Sequence, residues 1–137
     1  MTILTLTIKG QPTAKGRPKF STRSGYAIAY TPAKTRNAEA DIRSQAIQQL
    51  PPGFKPLTGA IAISISFSLQ RPKSLKKSII HCTKRPDAEN LSKTVLDALN
   101  TICFVDDSQI IRLMVDKHYG EPGTLIRLEE ISKQVTI

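Results

Sequence analysis

The sequence predicts an α+β fold, a single domain with a mixed, mainly antiparallel sheet of about five strands and two principal helices. Three observations support this class. A chain of 137 residues suits one domain with a modest core. Apolar residues alternate with Ala and Ser along AIAISISFSL, residues 60–69, which predicts a central strand. Apolar residues recur at helical spacing between Leu91 and Leu99.

Four further strands are predicted from shorter apolar or alternating runs. They are 3–8, 26–30, 110–115 and 125–128. Gly120, Pro122 and Gly123 separate the last two and are typical of turns, which predicts a hairpin there.

Two segments have helix start and stop signals. Thr31, with Pro32 at the first helical position, begins a pattern of apolar residues that runs to the stop at 51–53. We expect this helix to pack on a sheet or on a partner subunit. The second helix begins near Ala88, with Asp87 as its N-cap, and ends around Asn100.

The charge is unevenly distributed along the chain. The net charge is +9, yet residues 1–86 carry 15 Lys or Arg against two acids, whereas residues 87–137 carry five against nine. A basic surface around an acidic spot suits a nuclease, because phosphates are attracted toward a cation held by carboxylates. We therefore expect a polyanionic partner, although a passive nucleic-acid binder or an ordinary soluble surface has the same charge.

Two cysteines without a CxxC motif favour neither a disulfide framework nor a zinc site. No stretch approaches the ~20 apolar residues that span a bilayer. The N-terminus lacks the layout of a signal peptide. These features predict a cytoplasmic protein with reduced cysteines and no membrane partner.

Five of the 11 carboxylates lie between residues 87 and 109. Magnesium takes oxygen ligands and retains several waters, so two or three carboxylates suffice to hold it. We predict that Asp87, Glu89 and Asp107 are the metal ligands and catalytic carboxylates. Lys93 lies one helical turn from Glu89 and is predicted to neutralise charge in the transition state.

Asn90 and Asp106 are predicted to orient a metal ligand or a water. A purely structural interpretation of the region stays open. In that interpretation Asp87 caps the helix, Glu89 pairs with Lys93, and the two later aspartates form a turn.

Two basic segments are predicted to contact DNA phosphates. The first is the loop 11–25, in which Phe20 and Tyr26 either stack on unpaired bases or belong to the core. The second is the connector 71–85, whose alternative role is that of a solvated loop. His81 in this connector is expected to be neither a base nor a ligand. The predicted DNA-binding residues are Lys15, Arg17, Lys19, Arg23, Lys76, Lys77, Lys84 and Arg85.

Several motifs together resemble a known family. They are Asp87-x-Glu89-Asn90-Leu91-x-Lys93, Asp97-Ala98-Leu99, Asp106-Asp107-x-Gln109-Ile110, and, near the N-terminus, Gly10-x-Pro12-x-x-Lys15-Gly16-Arg17-Pro18-x-Phe20 with Tyr30-Thr31-Pro32. This set resembles RusA-type Holliday-junction resolvases, small magnesium-dependent endonucleases of bacteria and their prophages. Glu89 departs from the family's usual Asp; it keeps the charge and reaches one methylene further.

The resemblance implies a homodimer with two sites that cut opposed strands of a four-way DNA junction in recombination and repair, with Mg²⁺ or Mn²⁺ as cofactor. Two alternatives have the same residues. One is a nuclease of looser specificity that cuts flaps or forks. The other is a non-catalytic DNA-binding prophage remnant in which Glu89 has spoiled the site.

Overall fold

The helices and the sheet form one α+β domain, as predicted. The computed structural model describes residues 2–131. Within them, four strands form a mixed sheet of order β1-β6-β4-β5, and β2 pairs with β3 in a separate small sheet. The bounds are β1 Thr2–Lys9, β2 Lys19–Ser21, β3 Ile28–Tyr30, α1 Ala33–Gln49, β4 Ala60–Leu69, α2 Ala88–Leu99, a 3-10 turn Asp107–Gln109, β5 Ile110–Tyr119 and β6 Gly123–Ile131.

Strand β4 is central and has the predicted bounds. Successive side chains of a strand point to opposite faces, so the alternation in its sequence separates a buried face from an open one. Its isoleucines, Phe67 and Leu69 are buried, and they share one core with Leu91, Val95 and Leu99 of α2. Burying each such side chain stabilises the fold by roughly 1.5–3 kcal/mol.

Strands β5 and β6 do not form the predicted hairpin. They lie on opposite sides of β4: Ile63 stands opposite Leu113 in the parallel β4–β5 pair and opposite Leu128 in the antiparallel β4–β6 pair. The chain reaches β5 from β4 through α2, and a crossover helix makes such a pair parallel. With that side of β4 occupied, β6 pairs on the other side, and the segment 120–122 crosses the end of β4.

Helix α1 begins at Ala33, one residue later than predicted, and Pro32 is its N-cap residue. The helix ends at Gln49, before the predicted Pro-Pro-Gly stop. Its buried Ile42 and Ala46 belong to the core, so its apolar face is covered within the chain, by α2 and β1. No helix between residues 2 and 131 combines the length and apolarity needed to cross a membrane.

Strands β2 and β3 form a small hairpin, of which the sequence predicted only β3. The predicted strand 26–30 is confirmed in its second half, whereas β2 lies inside the segment predicted to be a loop. Lys19 pairs with Tyr30, and the turn closes where the N–H of Gly25 donates to the carbonyl of Thr22. Gly25 has φ +88°, a left-handed conformation that glycine adopts without strain.

Candidate active site

Asp87 occupies the N-cap position of α2, as predicted, but its carboxylate has no capping contact. The main-chain carbonyl of Asp87 accepts a hydrogen bond from the N–H of Leu91 over 3.0 Å. The side chain makes no capping hydrogen bond and is exposed. Asp87 therefore begins the helix through its backbone alone. Its carboxylate is left available to a ligand.

Glu89 and Lys93 form an ion pair across one turn of α2, with 3.4 Å between Nζ and Oε1. The structural interpretation of these two residues is thus partly correct. The Glu89 and Lys93 side chains are 80% and 51% exposed. Because an exposed helix pair of this spacing contributes only about 0.3–0.5 kcal/mol, a ligand can separate the two side chains at little cost.

Asp97 lies on the same helix but pairs with a residue far away in the sequence. Its carboxylate accepts a hydrogen bond from the ammonium of Lys15, which lies 3.8 Å from Oε1 of Glu39 on α1. The hydrogen bond to Asp97 raises the pKa of Lys15. Burial raises the pKa of the Glu39 carboxyl. Lys15 therefore joins the two helices, and its charge is balanced before any phosphate arrives.

The loop around Lys15 is fixed by its backbone as well. The N–H of Lys15 donates to the carbonyl of Asn90 over 3.1 Å, and the N–H of Gly16 donates to the hydroxyl of the buried Thr35 over 2.9 Å. A side chain on Gly16 would meet that hydroxyl at 3.0 Å, a very tight approach. Glycine thus allows the loop to lie close against α1.

The second pair of predicted carboxylates lies in the 3-10 turn before β5. Oδ2 of Asp106 accepts a hydrogen bond from the N–H of Ser108 over 3.0 Å. Hydrogen bonding to the side chain and then the backbone of Ser108 lowers the pKa of Asp106. The side chain of Gln109 accepts from the N–H of Asp106 and donates to the carbonyls of Leu57 and Gly59. Asp106 thus has the turn-forming role of the structural interpretation, and the turn is anchored to the chain just before β4.

Asp107, the first residue of that turn, is exposed. Among residues 2–131 its carboxylate takes part in none of the hydrogen bonds or ion pairs of the turn. Asp106 and Asp107, adjacent in sequence, therefore differ in role: the first is used by the fold, and the second is available.

A cleft separates the loop 14–18 from the start of α2. One part of it has a volume of about 470 Å³ and is lined by Asp87, Asn90, Arg17 and Arg85, together with Ala14 and Pro86. The adjoining part has a volume of about 390 Å³ and is lined by Lys15, Arg17, Asn90 and Lys93, together with Gly16 and Pro18. Asn90 and Arg17 are thus shared by both parts, and the carboxylate of Asp87 shares the cleft with four cationic side chains.

The predicted metal ligands are not gathered in the single chain. Carboxylate oxygens are the donors that Mg²⁺ and Mn²⁺ prefer. Within residues 2–131, however, no three His, Cys, Asp or Glu side chains lie close enough together to hold an ion. Asp87 lines the cleft, and neither Glu89 nor Asp107 does. The donor chemistry fits a divalent ion, and the arrangement in one chain does not.

The other predicted DNA-binding residues lie on two exposed segments. Lys19 and Arg23 are exposed on the β2–β3 hairpin, and Phe20 and Tyr26 are 69% and 67% exposed there. The alternative that these two aromatics belong to the core is therefore wrong. Lys76, Lys77 and Lys84 are exposed on the connector before α2.

The connector is organised by a residue that sequence reasoning did not single out. The guanidinium of Arg71 donates to the carbonyls of Lys76 and Ile79, both over 2.6 Å, and lies 5.5 Å above the ring of Tyr119. Lys117 donates to the carbonyls of Lys84 and Pro86, which holds the end of the connector against β5. The connector is thus fastened at both ends. Its basic side chains lie on a defined surface.

A basic α+β domain whose cleft places one free carboxylate among arginines and lysines has the features of a protein that binds phosphodiesters. Comparison with known proteins defines the class further. The family described as endodeoxyribonuclease RusA matches residues 9–129. The chain belongs to this family, which confirms the predicted resemblance and indicates an endodeoxyribonuclease.

A relative in Bacillus subtilis (strain 168), described as uncharacterized protein YqaN, is 32% identical over 143 residues. The match covers 96% of this chain and 99% of the relative. The two chains are therefore similar over their whole lengths.

Proposed function

We propose that this protein is a divalent-metal-dependent endodeoxyribonuclease that resolves four-way DNA junctions in recombination and repair. The observation that carries the proposal is the cleft, in which Asp87 lies with Arg17, Arg85 and Lys93. A phosphodiester needs cationic partners to approach a carboxylate, and the cleft supplies them on both sides of Asn90. Family membership supports the reaction class.

Within the cleft, the side chains have separable roles. Arg17 and Arg85 bind and orient the phosphate that flanks Asp87, because a guanidinium presents paired donors to phosphate oxygens. Lys93 stabilises the charge that develops during cleavage, since its ammonium leaves Glu89 at little cost. Asn90 positions a phosphate oxygen or a water between them.

Asp87, Glu89 and Asp107 remain our proposed ligands for Mg²⁺ or Mn²⁺. Glu89 lies on α2 two residues beyond Asp87, and Asp107 opens the turn before the neighbouring strand. The single chain does not hold the three as one cluster. A DNA phosphate beside Asp87 supplies further oxygen donors, which favours metal binding together with DNA over metal binding alone.

The exposed surfaces account for recognition of a branched substrate. The β2–β3 hairpin presents Phe20 and Tyr26 beside Lys19 and Arg23, and aromatic side chains next to cations bind unpaired bases. Such bases occur where a junction opens. The connector lysines bind the duplex arms through phosphates, and a homodimer provides one site for each of two opposed strands.

Cleavage of synthetic substrates tests the proposal. Purified protein is incubated with a four-way junction, a fork, a flap and a linear duplex, with EDTA, Mg²⁺ or Mn²⁺. We expect metal-dependent paired nicks in the junction and little cleavage of the duplex. Preferential cutting of forks or flaps would replace junction resolution with the looser nuclease function.

A second candidate function is favoured by one observation, the separation of the three proposed ligands in the single chain. It is junction binding without cleavage. Tight binding of the four-way junction with no nicks, at any ratio of protein and in either metal, would establish this function and overturn the first.

A further inference from the structure

The two edges of the main sheet differ in how their outer backbone groups are used. At the β1 edge, the side-chain amide of Gln49 accepts from the N–H of Thr7 over 2.9 Å and donates to its carbonyl over 2.8 Å. Gln45 does the same at Lys9, over 2.8 and 3.0 Å. Two glutamines of α1 thus imitate a neighbouring strand and occupy the outer backbone groups at the C-terminal end of β1.

The β5 edge has no such cover. Within residues 2–131, β5 pairs with β4 alone, and no side chain from another element bonds to the outer backbone groups of residues 110–115. Ile111, Leu113 and Met114 on this stretch are 64%, 43% and 61% exposed. An open strand edge with exposed apolar side chains is a template for pairing with another strand, and proteins ordinarily protect such an edge.

We propose that β5 pairs antiparallel with β5 of a second copy, in the register that places Met114 opposite Met114. The pairing joins the two sheets into one of eight strands across a two-fold axis. This pairing assigns an interface to the homodimer of the proposed function. The inference rests on the open strand edge and not on the nuclease activity.

The charges on β5 select this register. In a two-fold antiparallel pair, a residue on one side of the centre faces the residue equally far on the other side. With Met114 at the centre, Arg112 faces Asp116 of the second copy, twice, and Leu113 faces Val115. Centring on Arg112 opposes like charges, and centring on Leu113 or Val115 opposes Met114 to a charged residue.

The length of the paired segment is also set by the structure of β5. The register of β5 against β4 shifts between Ile61 and Ala62, so that Ile110 and Arg112 have β4 partners and Ile111 is the bulged residue. A bulge ends regular pairing. Five residues, 112–116, are therefore available on each copy. Asp116 already accepts a hydrogen bond from the hydroxyl of Ser66 over 2.7 Å, and Arg112 of a second copy adds the opposite charge beside it, which a strand of unrelated sequence does not.

Thiol cross-linking tests the register directly. Cys82 and Cys103 are buried, so an introduced surface cysteine reacts selectively. Met114→Cys is compared with Ile47→Cys, a matched control at an exposed apolar side chain of α1, 54% exposed. Under mild oxidation without DNA or metal, we expect Met114→Cys to form a covalent dimer and Ile47→Cys to remain a monomer on a denaturing gel. Equal cross-linking of both variants, or none by Met114→Cys, would overturn the register.

Charge reversal tests the pairing without new thiols. Arg112→Glu and Asp116→Arg each place like charges opposite one another, and each should weaken the dimer by about tenfold or more in sedimentation equilibrium. The double variant restores opposite charges and should recover most of the affinity. A monomeric wild-type protein at tens of micromolar, or single variants that dimerise normally, would refute the interface. Junction cleavage is measured separately on the same samples. A β5-paired dimer without activity would contradict only the proposed function. An active protein that dimerises through another surface would contradict only this inference.

Discussion

The backbone N–H of Lys15 donates to the carbonyl of Asn90 over 3.1 Å, and the ammonium of the same lysine pairs with Asp97 two turns further along α2. The loop is therefore fastened to the helix at two points. Arg17, two residues beyond Lys15, is held where it lines the same cavity as Asp87. Lys15 thus holds Arg17 in place and also lines the adjoining part of the cleft, and its predicted contact with DNA stays a prediction.

Asp87→Asn and Asp107→Asn should each lower the single-turnover cleavage rate by more than about 100-fold while junction affinity stays within a few-fold of the wild type. Both side chains are exposed and make no contact that the fold needs, so the variants should remain folded. Asp106→Ala is the matched control. It removes the hydrogen bond to Ser108 and should lower the unfolding temperature, with cleavage retained at permissive temperature. Unfolded Asp87 and Asp107 variants would support the structural interpretation instead.

Glu89→Asp should leave the protein active or improve its cleavage rate. Aspartate is the family's usual residue at this position. The substitution removes only the exposed ion pair between Glu89 and Lys93. Initial rates in Mg²⁺ and Mn²⁺ measure the effect, with Glu89→Gln as the control that removes the charge. Complete loss of activity in the Asp variant would show that the site is built around the longer side chain.

Much of the fold could be predicted because its signals are local. The alternation in β4 and the helical spacing in α2 are read within about ten residues, and both elements have the expected bounds. The prediction of a β5–β6 hairpin was wrong. The turn residues Gly120 and Pro122 indicate that the chain reverses, but they do not show that the crossover through α2 has placed β5 beside β4. Strand β2 was missed since it has only three residues and none of them is buried, so its sequence shows no alternation of buried and exposed positions.

The candidate site depends on contacts that sequence spacing does not encode. Asp97 is at helical spacing from Lys93, yet its partner is Lys15, 82 residues away in the sequence. Asp106 and Asp107 are adjacent and have the same side chain, and the hydrogen bond from the N–H of Ser108, which gives Asp106 a role in the turn, cannot be read from their spacing. Arg17 and Asp87 meet in one cleft because the loop is tied to the helix.

Phe20→Ala should weaken binding to a four-way junction more than binding to linear duplex of equal length. Its ring is exposed on the hairpin, and stacking on an unpaired base is worth about 1–3 kcal/mol. Fluorescence anisotropy on both substrates measures the difference. Ile28→Ala on the same hairpin is the control, since Ile28 is also exposed but has no aromatic ring. Equal losses on junction and duplex would argue against a stacking role.

Glu39→Gln should raise the unfolding temperature at neutral pH by about 2 °C. Burial raises the pKa of Glu39 above its ordinary value of 4.5, so the folded protein holds this proton more tightly than the unfolded chain. The ionised form therefore costs stability above the folded pKa, and the cost fades as the pH falls through that pKa toward 4.5. The advantage of the Gln variant should disappear at low pH. Thermal melts of both proteins across this range test the sign, and an advantage that persists in acid would refute the cause.

Lys93→Ala should lower the single-turnover cleavage rate more than it lowers junction affinity. A cation used mainly in the transition state contributes to the rate and little to ground-state binding. Lys76→Ala combined with Lys77→Ala should do the reverse, because removing one lysine–phosphate ion pair reduces the slope of log affinity against log salt by roughly 0.9 on duplex DNA. The double variant should therefore show a slope shallower by about 2, with bound complexes cleaved at the normal rate. If Lys93→Ala weakened binding as much as the connector variant and its complexes still cut normally, Lys93 would be another phosphate-binding residue and its place in the cleft would have no catalytic meaning.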